Sequence, residues 1–237
     1  MYSDFYNYQK FYHSSIGNLL SSHVEDKLKK YCYLYNDQNI GCFGYCDYFL
    51  NFLNSYQLSI SYCYPKKIGT SGESISNGNK VLVDEESLPF DDSVFHHSFL
   101  IHYLENTLDR KRSLREIWRT LLPEGKLYLI VPNQKSLWYL SSKSPFSTGQ
   151  GFSKKKITRE LNDLFFDIQF IDRLVYFPNS NLNIIKNYKN IIDKFGSTFL
   201  KYFNGTYLCV AKKRIYADLS PKVEKQKNFT TGLVKKI

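Results

Sequence analysis

Several residues in this chain have types and spacing that suit chemistry. Asp84 and Glu85 follow the apolar run Lys80–Val83, so two carboxylates stand where a strand should stop. His102 follows a second apolar run, Phe95–Ile101. An imidazole titrates near neutrality and can take a proton from an oxygen or nitrogen nucleophile; it can equally fill space and hydrogen-bond to backbone. Gly41 and Gly44 sit beside a short apolar start, as in an ordinary tight turn or where backbone must be approached closely. Asn133, Trp138 and Phe146 lie in a long irregular stretch, residues 132–152. Connections of that length are usually functional or mobile. The two aromatics could form an apolar lid or serve as packing anchors.

These residues need elements to position them. The runs at Lys80–Val83, Phe95–Ile101 and Lys126–Val131 read as three strands with crossovers between them. Such connections demand a parallel α/β sheet, and parallel sheets bind ligands at the carboxyl ends of their strands. Leu114, Ile117, Trp118 and Leu121 form one stripe of a helix over Leu108–Leu122, which the Pro123-Glu124-Gly125 turn should end. Ser153 can cap a helix reaching about Leu164, followed by a strand over Phe166–Phe177. Upstream, apolar residues recur at helical spacing from 4 to 30, with Gly17 inside that helix. A polar break at 36–39 precedes the strand-turn-helix reading of Ile40–Leu53, and Tyr56, Leu58, Ile60 and Tyr62 alternate as in a half-buried strand. Residues 65–79 read as a loop. A helix over Leu182–Phe203 and a strand over Tyr207–Ala211 complete a single domain of residues 1–213, with 214–237 as a basic, unstructured tail.

Composition narrows the function classes. The chain has 237 residues, enough for one good core. Its 20 Tyr and 18 Phe against one Met read first as compositional drift and second as a stacking surface for nucleic acid. The net charge of +10 would suit an anionic partner, but Lys212–Ile237 holds eight basic and two acidic side chains and so carries six of those charges. A basic tail is most often a solvated end. Five cysteines without paired spacing, and no His beside Cys42 and Cys46, argue for reduced thiols rather than a zinc site. His96 and His97 face opposite sides of one strand and make no metal pair. No apolar run approaches the ~20 residues that span a bilayer, and the N-terminus lacks the pattern of a secretory signal, so a cytoplasmic protein is expected. G-x-S-x-G, phosphate-loop and H-E-x-x-H motifs are absent.

The order of these phrases resembles the class I S-adenosylmethionine-dependent methyltransferases, in particular the type 11 subgroup. Asp84-Glu85-Glu86-Ser87-Leu88-Pro89-Phe90 is similar to that family's D-A-x-x-L-P-F, and Leu100-Ile101-His102-Tyr103-Leu104-Glu105 to its L-x-x-H-x-L-E-H. Pro132–Trp138 and Ser144–Gly149 are similar to P-N-R-x-G-L-W and T-P-F-G-x-G phrases of one bacterial branch. The likeness runs from about Ile40 to Ala217 and is specific from Val81 to Ser153.

The resemblance implies a Rossmann-like α/β fold, with a seven-stranded, mostly parallel sheet flanked by helices, and S-adenosyl-L-methionine as cofactor. It places Gly41, Gly44, Asp84 and Glu85 around that donor, His102 as a possible base, and Asn133, Trp138 and Phe146 over the substrate. Two departures stand out: Asn39 replaces the acidic residue before the first glycine, and Ser61-Tyr62-Cys63-Tyr64 offers no carboxylate for the ribose. The expected activity is methyl transfer to an oxygen or nitrogen of a small-molecule acceptor. A methyltransferase-like binding protein without activity, and an RNA-associated enzyme using the basic tail, are the alternatives.

Overall fold

Two capped turns open the chain. The Asp4 carboxylate accepts from Asn7 N–H (2.9 Å) and starts α1, Phe5–Tyr12. The Ser14 hydroxyl accepts from Gly17 N–H (3.2 Å) and starts α2, Ser15–Tyr31. The single helix expected over 4–30 is therefore two. The break falls at Ser14, whose extended backbone caps α2, and Gly17 makes room for it, because a β-carbon there would lie 2.1 Å from the Phe11 carbonyl. It is the contact at which α2 folds back on α1.

The computed structural model describes residues 4–70, 79–140, 144–147, 149–175 and 204–215. The helix expected over Leu182–Phe203 and nearly all of the basic tail lie outside them. The strands are β1 (Gln38–Gly44), β2 (Leu58–Pro65), β3 (Asn79–Val83), β4 (Phe95–Ile101), β5 (Leu121–Pro132), β6 (Phe166–Leu174) and β7 (Thr206–Lys213). A short 3-10 helix, Asn51–Ser55, leads into β2. The remaining helices are α3 (Arg110–Thr120), α4 (Leu137–Leu140) and α5 (Lys154–Asn162).

The seven strands form one sheet in the order β3-β2-β1-β4-β5-β7-β6. The first five are parallel, and β7 runs antiparallel to both β5 and β6. Strand order reverses between β1 and β4, where Gly44 pairs with Ile101. At such a reversal the flanking connections leave in opposite directions and open a crevice at the carboxyl edge.

Helices cover both faces. One buried cluster joins α1 and α2 to Ile40, Cys42, Phe99, Tyr128 and Ile130; the other joins Leu114 and Ile117 of α3 and Ile157 and Leu161 of α5 to Phe43, Leu100, Leu127 and Leu129. Alternate residues of β1 and β4 thus feed opposite cores. Helix α3 ends at Thr120, earlier than expected, since Leu121 is already extended and Glu124 takes the bend at φ 63°. Ser153 caps α5 as expected, accepting from Lys156 N–H (3.2 Å). Among the described residues no helix is long and apolar enough to cross a membrane.

Candidate active site at the carboxyl edge

Gly44 ends β1 with φ +91°, and Tyr45 N–H then donates to the Ile101 carbonyl (2.8 Å). A β-carbon on Gly44 would fall 2.2 Å from that carbonyl oxygen, so glycine is required both for the torsion and for the space. Gly41 does something else. It lies within β1, paired with Ser61 and Ser98, and its missing β-carbon makes room for the rings of Phe43 (2.5 Å) and Phe95 (3.2 Å). The turn expected at Gly41 and Gly44 together is a turn at Gly44 alone. Gly41 serves aromatic packing on the same face of the strand.

His102 follows β4 at φ 53° and is fully buried. Its ring sits between Tyr8 (centroids 4.6 Å apart) and Phe146 (4.8 Å), with Tyr12 and Phe49 beside it. Nδ1 lies 3.0 Å from Oε1 of Glu105, and Nε2 lies 2.6 Å from the Tyr12 hydroxyl. An ionised carboxylate only accepts, so Nδ1 carries the proton and Nε2 accepts from Tyr12. Burial, followed by the charges of Tyr8, Glu105 and Tyr45, holds the Tyr12 phenol well above its ordinary pKa and keeps it a donor. The Asn106 amide ties the arrangement together, donating to the Tyr8 hydroxyl (2.9 Å) and the His102 carbonyl (3.1 Å).

The irregular stretch after β5 packs onto this assembly. Asn133 donates to the Asn204 carbonyl (2.8 Å) and accepts from Lys135 N–H (3.1 Å), which fixes the loop's base. Gly149, at φ +100°, lets the chain pass against the Glu105 carbonyl, which accepts from Gln150 N–H (2.8 Å). Trp138 and Phe146 are buried edge-to-face, and Phe11 of α1 packs against Trp138. In this arrangement both act as anchors, Phe146 directly on His102.

Asp84 is exposed, and its carboxylate accepts from Glu86 N–H (3.0 Å), closing a turn on itself. Its neighbour Glu85 is buried, and burial pushes its pKa up. Open hollows beside α3, of about 400 and 620 Å³, are lined by residues such as Asp109, Lys111, Asp163 and Leu164, and neither Gly41 nor Asp84 borders them.

One carboxylate was missed in the sequence. Asp47, three residues after Gly44, accepts from the Tyr64 hydroxyl at the end of β2 (2.7 Å). Burial raises its pKa, and its second oxygen has no hydrogen-bond partner among the described residues. Glu105 Oε2 is buried and unpartnered in the same way. Its signal in the sequence is an acid just beyond the turn glycine, rather than one on β2 itself. Above these groups lies an aromatic layer. Tyr8 stacks on Tyr45 (5.1 Å), and Tyr12 stacks on Tyr45 (5.8 Å) and Tyr48 (5.9 Å). Tyr8, Tyr12 and Tyr45 have no exposed surface, so α1 closes the crevice.

A model of the methyltransferase domain family matches residues 63–129. The chain has the class I methyltransferase fold. A Haloferax volcanii protein named as a methyltransferase, solved with the Trm112 methyltransferase activator, superposes with a TM-score of 0.64 at 13% identity, covering 88% of this chain and 98% of that one. Geranyl diphosphate C-methyltransferase from Streptomyces coelicolor A3(2), solved with S-adenosyl-L-homocysteine, gives 0.55 at 14% identity, covering 83% and 80%. The Bacillus subtilis (strain 168) protein YrhH, named as a methyltransferase, is 32% identical over 59 residues, which is 25% of this chain and 33% of that protein. The methyltransferase fold therefore extends well beyond the segment alike in sequence.

Proposed function

We propose that the protein is an S-adenosylmethionine-dependent methyltransferase acting on an oxygen or nitrogen of a small acceptor, and that the arrangement described is its closed state. The observation that carries this is the pair of buried carboxylate oxygens without partners among the described residues, Asp47 Oδ2 and Glu105 Oε2, at the strand reversal of a methyltransferase fold. A buried unpaired carboxylate oxygen costs free energy, which a ligand's donors would recover.

The polar groups suit an adenosyl donor. Asp47 would accept from the ribose hydroxyls, replacing the acid that β2 lacks. Glu85 would meet the adenine edge, since the Asp84 carboxylate is engaged in its own turn. The backbone at Gly44 would border the amino-acid end. The donor supplies an electrophilic methyl group. Tyr8, Tyr12 and Tyr45 fill the space beside Gly44, so entry requires α1 to lift. Once α1 closes, the aromatic layer excludes water and His102 handles the acceptor's proton. We place the protein in the cytoplasm, where its five free, buried cysteines suit a reducing compartment.

The filled crevice favours one rival, a binding protein of this fold without activity. Calorimetry with S-adenosylhomocysteine separates the two. The wild type should bind it, and Asp47→Asn should bind about tenfold or more weakly, through loss of a charged hydrogen bond worth about 1.5–3 kcal/mol. No binding at about 1 mM would leave the rival reading in possession.

A further inference from the structure

We propose that Tyr12 is the outer end of a proton relay, Tyr12–His102–Glu105, which the docking of α1 completes. This rests on the methyltransferase reading and adds to it a residue from outside the parallel sheet.

The geometry is specific. Tyr12 comes from α1, ninety residues before His102, and its hydroxyl meets Nε2 at 2.6 Å while Glu105 holds Nδ1 at 3.0 Å. Tyr8, one turn earlier on the same face of α1, lays its ring on His102 and accepts from Asn106. Two tyrosines of one helix therefore address a single imidazole, one through its face and one through its edge.

Packing alone does not call for this. The surroundings are aromatic, and three polar side chains there have no exposed surface to speak of. A phenylalanine at position 12 with apolar residues at 102 and 105 would fill the same volume without burying a carboxylate whose Oε2 has no partner among the described residues.

The proton path balances. With His102 already hydrogen-bonded by Tyr12, the atom left to face an acceptor is the Tyr12 oxygen. The acceptor's O–H or N–H proton passes to Tyr12 Oη while the phenol's own proton passes to His102 Nε2. The methyl group takes the place of that proton on the acceptor. The imidazolium so formed is held by the Glu105 carboxylate, and its proton goes to water when α1 lifts. The phenol's raised pKa fits this order, since Tyr12 gives its proton up only as it receives another. The other titratable groups facing Tyr12 are Tyr8, Tyr45, Tyr48 and Glu105.

Two measurements on the full chain test the relay. In protein labelled with nitrogen-15 at histidine, His102 should show a protonated Nδ1 and an accepting Nε2, and Tyr12→Phe should shift the Nε2 resonance toward that of a free acceptor. Methyl transfer is then followed from labelled S-adenosylmethionine into the small-molecule fraction of a cell extract. Tyr12→Phe should lower the rate by about 100-fold or more at neutral pH. S-adenosylhomocysteine affinity should stay within about twofold. The deficit should shrink as pH rises and the acceptor ionises unaided, whereas a structural loss would be equal at every pH. Wild-type rate in Tyr12→Phe, a deficit that ignores pH, or a protonated Nε2 would overturn the relay alone. A wild type that neither binds S-adenosylhomocysteine nor transfers methyl would instead overturn the methyltransferase reading, and the relay's role with it.

Discussion

Tyr8→Ala should release α1 without unfolding the rest of the chain. Tyr8 has no exposed surface, stacks on Tyr45 and tilts onto His102 at 4.6 Å between centroids. Truncating a buried aromatic costs about 3–5 kcal/mol. The lost hydrogen bond adds only about 1 kcal/mol, because Asn106 keeps its bond to the His102 carbonyl. An eight-residue helix is not stable alone, and ordering it costs about 1 kcal/mol per residue or more, so α1 stays docked by a margin of only a few kcal/mol. Tyr8→Ala removes most of that margin. Hydrogen exchange of amides in residues 5–13 should accelerate about a thousandfold, at about 1.4 kcal/mol per decade. The thermal midpoint should fall by clearly less than the roughly 8–16 °C that 4 kcal/mol would take from a fully cooperative chain of this size. S-adenosylhomocysteine should also associate faster. Unchanged exchange in α1 together with the full loss of midpoint would refute the idea that α1 is a separable cover.

Two further substitutions probe the frame beneath. Gly44→Ala places a β-carbon 2.2 Å from the Ile101 carbonyl at φ +91°, and should cost about 2–4 kcal/mol in chemical denaturation, whereas a cost under ~0.5 kcal/mol would show that the turn relaxes freely. Burial, followed by the charges of Lys126 and His96, pushes the His97 imidazole down to about 4. The unfolded chain then binds that proton first, so stability is full above the ordinary value near 6.5 and is lost as pH falls toward about 4, by about 3 kcal/mol at most. Asp47 and Glu85, whose pKa values are raised, contribute with the opposite sign, so the readout is the difference between wild type and His97→Leu. Parallel stability-versus-pH curves for the two proteins would show that His97 does not titrate in this way.

Local rules made much of the fold legible. Strand β4 runs from Phe95 to Ile101 as its apolar run implied, and Ser153 caps α5 through the hydrogen bond its position predicts. The parallel sheet followed from the crossovers. What the sequence hid were same-face and long-range contacts. Gly17 read as a blemish within one helix, because nothing local shows that the Phe11 carbonyl lies against it. Gly41 and Gly44 looked alike, although one accommodates Phe43 two residues on and the other takes a left-handed torsion. Asp47 is unmarked in the sequence because its partner, Tyr64, lies on β2, seventeen residues on. Nothing local marks Tyr8 and Tyr12 of α1, whose hydroxyls acquire meaning only where the fold brings them to Asn106 and His102.

The central claim, that the carboxyl-edge crevice under α1 holds an adenosyl methyl donor, is tested most directly by titrating isotope-labelled protein with S-adenosylhomocysteine and mapping the amide shifts by NMR. Saturable shifts confined to Gly44–Tyr48, Glu85, His102 and α1 are predicted. Shifts gathered around Asp109, Lys111 and Asp163 beside α3, or none up to about 1 mM ligand, would contradict it.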